Sequence, residues 1–344
     1  MRFLIGTYTE QMDHVDGHGD GILAVTLNAE SGRLEALQVL AAVRNPSYLA
    51  VDRSAARVYA VSEMADEDGA GTIAAFSLDA GGTLTWLNTV SSGGPFPAFL
   101  TVDEAANLHV ANYGGSVASF TLSPAGLEDA SNVFHYPTPP SNHVRQDSSH
   151  PHHIAILNRE MLVCDLGAGS IWVHDLAADG KPVEQPREQI LIGSAGPRHL
   201  VVHADGRHIA ICNELDSTIT LMQRQDDGTF IPLSSVTTRD RQGPDNLAAA
   251  IIASASNRAL FVTNRGDDTV SLFDWTGPTL NLRAVHQLAG KTPRDAALAP
   301  DGRHIIVAAQ DSDLLECLIY DEAKMSVSPR SEMDIASPAC VVAL

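Results

Sequence analysis

Apolar residues in this chain fall in short runs, some continuous and some alternating with polar residues, never with helical spacing. The clearest set spans Gly196 to Glu214, GPRHLVVHADGRHIAICNE, where two β-type runs, LVVH and HIAICN, are joined by Ala-Asp-Gly-Arg, a hairpin turn signal. The same layout recurs. Apolar runs follow Asn45-Pro46, Phe96-Pro97, His150-Pro151, Gly196-Pro197, Thr292-Pro293 and Ser337-Pro338, with a degenerate copy at Asp245-Asn246-Leu247. Second strands read RFLIGTY at 2–8, RVYAVSE at 57–63, LHVANY at 108–113 and MLVCDLG at 161–167. They continue as HIAICNE at 208–214, LFVTNRG at 260–266 and HIIVAAQ at 304–310. Third strands run from GILAVTL at 21–27 to DLLECLIY at 313–320, and weaker fourth strands such as TLTWLNTV at 83–90 lead to the next start.

Four short strands repeating at this interval are the signature of propeller blades. Seven copies predict an all-β, seven-bladed β-propeller in one domain, residues 1–344. The chain opens on a second strand and closes on a first strand, Pro338 to Leu344, so the first and last strands should share a blade. Closure of that kind hides sheet edges. Two loops break the repeat: residues 10–20, EQMDHVDGHGD, and a Pro/Ser-rich arm at 135–150. Loops of that length are usually functional or mobile.

Composition narrows the function. A net charge of −20 disfavours nucleic acid and anionic membranes as partners. The apolar part of MRFLIGTYTE is too short for a signal peptide, and no run is long enough to cross a bilayer. Cys164, Cys212, Cys317 and Cys340 stand alone, as expected of reduced thiols, so a cytoplasmic location is expected. No obligate protein partner is evident.

Antiparallel strands put the loop before each first strand and the loop after each second strand on one face. That delivers Glu63, His152, Asp165, Arg198, Glu214, Arg265, Arg294 and Gln310 to one mouth of the central channel. Three arginines at one mouth of an acidic protein suggest an anionic ligand, since the guanidinium fork binds carboxylate or phosphate bidentately. Any one of these residues could simply cap a strand, but Arg198, Glu214 and Arg265 on adjacent blades favour function. His150, His152 and His153 lack a metal spacing and are expected to be exposed loop histidines; no metal and no cofactor are called for. GHGDG at 17–21 precedes no helix, and no GxSxG elbow occurs. Trp86, Trp172 and Trp275 read as core or edge packing.

GPRHLVVH followed by CNEL, then VTNRGDDTV, then TPRDAAL, together with FLIGTYT and SHPHHIAI, resembles the seven-bladed propeller lactonases over essentially the whole chain. That family includes a 6-phosphogluconolactonase of the pentose phosphate pathway in carbohydrate metabolism and, more distantly, the fungal 3-carboxy-cis,cis-muconate cyclase. Three departures are visible: Leu247 to Ile251 carries no acidic residue, Ala255-Ser-Asn-Arg258 replaces the usual Pro-Asp-Gly turn, and the arm at 135–150 is unusually proline-rich. The resemblance implies that His152, Arg198, Glu214 and Arg265 match the family's active-site positions and form the catalytic set; His150, Arg294 and Gln310 are this sequence's own substrate-binding candidates. In the lactonase reading the substrate is a small anionic sugar lactone such as 6-phosphogluconolactone. Glu214 would act as general base or hold the water, the arginines would stabilise the oxyanion, and His152 would donate a proton or orient the substrate. A cycloisomerase of muconate-type dicarboxylates and a non-catalytic binding propeller are the competing readings.

Overall fold

The second strand of each unit is apolar without alternation because both of its faces are covered by neighbouring blades. In the computed structural model, which describes residues 1–344 except 68, 138–142, 242 and 244, these strands are buried almost throughout, as in His208–Asn213 and His304–Ala309. Outer strands such as Leu34–Ala41 face solvent along most of their length and carry the polar residues. The described residues form seven four-stranded antiparallel sheets, a seven-bladed β-propeller, plus one two-residue ladder, Gln11–Met12 with Val15–Asp16. Blades are numbered here in chain order.

Packing lies between blades. Ala210, Cys212 and Leu221 of blade 5 meet Leu260, Val262 and Phe273 of blade 6, and each such burial contributes about 1.5–3 kcal/mol for a large aliphatic or aromatic side chain. The degenerate copy forms a full inner strand, Leu247–Ala253. Ring closure follows the offset of the ends: Pro338–Ala343 pairs antiparallel with Arg2–Thr7, aligning Leu4 with Val342 and Ile5 with Val341. Gly6 is required at this seam, where a Cβ would collide with the Pro46 carbonyl of blade 2.

Two recurring backbone devices shape the channel. The residue before the repeat proline has positive φ at Asn45, Phe96, Gly196, Thr292 and Ser337, at 41°, 55°, 69°, 54° and 45°. Register shifts then follow, between Pro97 and Phe99, Pro151 and His153, Pro197 and His199, and Pro293 and Asp295. Each is a β-bulge that lifts one residue out of the ladder and re-aims its side chain. The lifted residues are Ala98, His152, Arg198 and Arg294, and all four line void space at the channel.

The second device ends the second strands. Asn213 donates to Thr218 and Thr220, and Asn264 to Thr269 and Ser271, pinning the turn so that the next residue, Glu214 or Arg265, faces the channel.

Candidate active site

The two devices build a cavity of about 770 Å³ at the mouth of the channel, within the range of small-molecule sites. Bulge residues Ala98, His152 and Arg294 and turn residues Glu63, Tyr113, Glu214, Arg265 and Gln310 line it.

Glu214 is its electrostatic centre. The carboxylate is 1% exposed, with Oε1 2.9 Å from Arg145 Nη2 and Oε2 2.8 Å from Arg265 Nη2. Arg198 Nε lies 3.0 Å from Oε2, but without hydrogen-bond alignment, so this contact is an ion pair only. Arg198 itself is 3% exposed, donates to the Ala249 carbonyl at 2.8 Å, and lies 3.2 Å from His199 Nε2. It lines a small adjoining void with His199 and Asp295 rather than the main cavity. Burial would raise the Glu214 carboxyl, yet Arg265, Arg198 and Arg145 together outweigh it and hold the group well below the usual carboxylate range. Burial, with Arg265 adding, lowers Arg198 to about 10, so it stays charged at neutral pH. A carboxylate held this tightly is a poor proton acceptor and suits anchoring the three guanidiniums better than general base work.

His152 is the neutral partner. It is 5% exposed, and burial followed by Arg198 drives its pKa well below the ordinary imidazole value. Its Nδ1 has no partner among the described residues, and its ring packs edge-on against Tyr113 and His199. His153 is half-buried on the rings of Phe99 and His199, with burial lowering it to about 3. The expectation of exposed loop histidines is therefore corrected: the bulge turns His152 inward and packs His153 into the wall.

His150 is also corrected as a cavity residue. It stacks on Tyr113 at 4.4 Å, pairs its Nδ1 with the Tyr113 carbonyl, and does not line the cavity. It supports the tyrosine from behind. Asp165 does not reach the cavity either, because it pairs with Pro151 as Asn213 pairs with Pro197, in the pinning position. It accepts from Ser149 Oγ, the His150 and Ala168 amides and Trp172 Nε1. Trp172 and Trp275 are buried, while Trp86 is 61% exposed on an outer strand. Gln310 and Arg294 do line the cavity, and Gln310 Oε1 is buried without a partner among the described residues.

Further contributors lie outside the candidates read from the sequence. Arg145 sits on the proline-rich arm, residues 138–142 of which lie outside the described residues, and donates to both Tyr113 Oη and Glu214. Gln146 fastens that segment to the Leu166 and Gly193 carbonyls. Tyr113 follows Asn112 as Glu214 follows Asn213, so the repeat itself could have flagged it. The 10–20 loop supplies Met12, Asp13 and His14. Tyr8 lies nearby, raised well above its ordinary value chiefly by burial, and donates to Glu63 Oε2 at 2.7 Å. No described helix is long and apolar enough to cross a membrane.

The family model described as Lactonase, 7-bladed beta-propeller, matches residues 2–343. The chain is 27% identical to the 6-phosphogluconolactonase of Bacillus subtilis (strain 168), over 98% of this chain and 96% of that one. Its structure is similar to the Pseudomonas aeruginosa periplasmic gluconolactonase, with TM-score 0.87 and 26% identity over 99% of this chain and 98% of that one. It is also similar to a protein from Lactobacillus plantarum, with TM-score 0.89 and 29% identity over 99% and 98% of the two chains.

Proposed function

The chain belongs to the seven-bladed β-propeller lactonase family, and from that premise we propose that it hydrolyses 6-phosphogluconolactone to 6-phosphogluconate. The observation that carries this choice of substrate is Arg294. Its guanidinium is 12% exposed, lines the same cavity as Glu214, and reaches Glu63 only at 3.8 Å, beyond hydrogen-bond length. Its other partner is the Tyr8 ring, 5.1 Å from Cζ to the centroid, a contact that uses none of its N–H donors, so these serve an exocyclic phosphate while the Glu214 cluster serves the reacting carbonyl.

Arg265 and Arg145 donate to the lactone carbonyl oxygen, where negative charge builds as water adds. Buried His152 is a weak base at rest, but the negative charge that builds on the carbonyl oxygen raises its basicity as water adds, so it takes the water's proton and returns it to the ring oxygen as the endocyclic C–O bond breaks. Glu214 stays ionised and fixes the two arginines, and buried Arg198 fixes Glu214. No step calls for a metal or a redox cofactor. The four buried, unpaired thiols support a cytoplasmic setting.

The competing reading is a cycloisomerase, since two cationic loci also suit a dicarboxylate. Purified protein should be offered 6-phosphogluconolactone, unphosphorylated gluconolactone and 3-carboxy-cis,cis-muconate side by side. Opening of the phosphorylated lactone beyond its spontaneous rate is the expected result. Consumption of the muconate alone would establish the cycloisomerase, and inertness toward all three would favour a binding propeller.

A further inference from the structure

On the face opposite the mouth, the turn joining the two inner strands of blade 5 holds a side-chain cluster with no part in the reaction above. Among the described residues, His203, Asp205 and His208 bring one donor atom each within 4.8 Å of the others. Asp205 Oδ1 accepts from the Arg207 and His208 amides at 2.8 and 3.1 Å, so the backbone fixes the carboxylate. Its Oδ2 then faces two imidazoles, 2.9 Å from His203 Nδ1 and 2.7 Å from His208 Nδ1.

The repeat supplies an internal control. In blade 7, Asp301 Oδ1 accepts from the Arg303 and His304 amides at 2.9 and 3.1 Å, and Oδ2 meets His304 Nδ1 at 2.6 Å. The backbone match continues one residue pair outward, where the His203 amide donates to His208 and the Ala299 amide to His304. The Asp–His pair is thus a device of the turn, present in both blades. Only blade 5 adds a second imidazole, in the place of Ala299; its Nδ1 also accepts from the Asp205 amide at 3.3 Å, while blade 7 forms the same turn without it.

The neighbouring turn puts no side chain against the ligand atoms. Gly277, in the outer turn of blade 6, has φ +79°, and a Cβ there would stand 3.1 Å from Asp205 Oδ2 and 3.2 Å from His208 Nδ1. Trp275 closes the flank, with its ring edge-on to His203 at 4.6 Å.

We propose that His203, Asp205 and His208 form a divalent transition-metal site of the zinc class at the seam of blades 5 and 6. Two imidazole nitrogens and one carboxylate oxygen select zinc, nickel or cobalt over magnesium or calcium. Ligand atoms just under 3 Å apart are what bonds of about 2.0–2.2 Å to one ion produce at near-right angles. The ion replaces the contacts between Oδ2 and the two Nδ1 atoms, and each imidazole carries its proton on Nε2. This moves the His208 proton from Nδ1, where the Asp205 carboxylate holds it in the ion's absence, to Nε2, which has no partner among the described residues. Three protein ligands leave a position for water, and a bound ion would tie the blade 5 turn down beside Trp275.

The test uses untagged, full-length protein stripped with chelator and titrated with zinc by calorimetry, with the visible spectrum of added cobalt as a second readout. One equivalent should bind with a dissociation constant of about 10 μM or tighter, and the unfolding midpoint should rise with zinc. His203→Ala installs the residue blade 7 already uses, so the fold is not at risk, and binding should weaken at least tenfold with the zinc-dependent rise lost. Asp205→Asn should weaken binding likewise. Absence of saturable one-to-one binding, or equal binding by His203→Ala, overturns the proposal.

Discussion

Glu214 shows how far one side chain's role depends on its neighbours. Residue type and position mark it as the carboxylate of the site, but its proton affinity is set by three guanidiniums, one of them on an arm with no repeat register. Glu214→Gln keeps the shape and removes the charge, leaving Arg198 buried and under-compensated. Such a loss typically costs about 3–5 kcal/mol of stability, and turnover should also fall on the order of a hundredfold or more. Arg265 is 13% exposed at the cavity wall, so Arg265→Ala should lose comparable turnover with a smaller change in melting temperature. Calorimetry beside kcat/KM for both variants separates anchor from donor. Asp295 gives a second residue-scale prediction. Burial raises it to about 6, against backbone bonds from Val341 and Ala296 that favour the ion. A raised acid binds its proton in the folded state while the unfolded chain has released it. Its contribution is therefore full below about pH 4 and lost as pH rises through 6. Relative to Asp295→Asn, the parent should be more stable at pH 4 than at pH 7.5 by roughly 2 kcal/mol, read from denaturant midpoints at the two values.

At the scale of elements, strand order and blade boundaries were legible because doubly buried strands leave unbroken apolar runs and six of the seven starts carry a proline. Even the degenerate copy at Asp245 to Leu247 builds an ordinary inner strand. The β-bulge after Pro97, Pro151, Pro197 and Pro293 was not legible, since one extra residue in a ladder leaves no hydrophobic mark. That single-residue slip is why His152 enters the cavity, while Asp165 proves to be a turn anchor and His150 a support for Tyr113. Arg145 and Tyr113 were missed for different reasons. The arm carrying Arg145 has no counterpart in other blades, whereas Tyr113 occupies a repeat position but is not an ionic group. The bulge also makes Arg294 separable from the reacting centre. Arg294→Ala should raise KM for 6-phosphogluconolactone about tenfold or more while kcat changes less, and should leave unphosphorylated gluconolactone nearly unaffected. Steady-state kinetics on the two substrates checks this.

For the whole molecule, the offset of the chain ends matters most. The last strand shares a blade with the first, so the ring is latched by non-covalent pairing between residues far apart in sequence. Ala339, Cys340 and Val341 are buried at the latch. Deleting residues 338–344 exposes the edge of Arg2–Thr7 and the flank of blade 7, and should abolish the single cooperative unfolding transition and promote aggregation. Differential scanning calorimetry with light scattering would detect both. A closed ring also holds side chains from different blades at fixed separations, the preorganisation that charge stabilisation requires. The most direct measurement is the rate of 6-phosphogluconolactone opening, followed by proton release at constant pH, for parent protein, Arg265→Ala and buffer alone. The parent should exceed buffer by orders of magnitude, with Arg265→Ala about a hundredfold below the parent. A parent rate equal to the spontaneous one, or an Arg265→Ala rate equal to the parent's, would contradict lactone hydrolysis at this cluster.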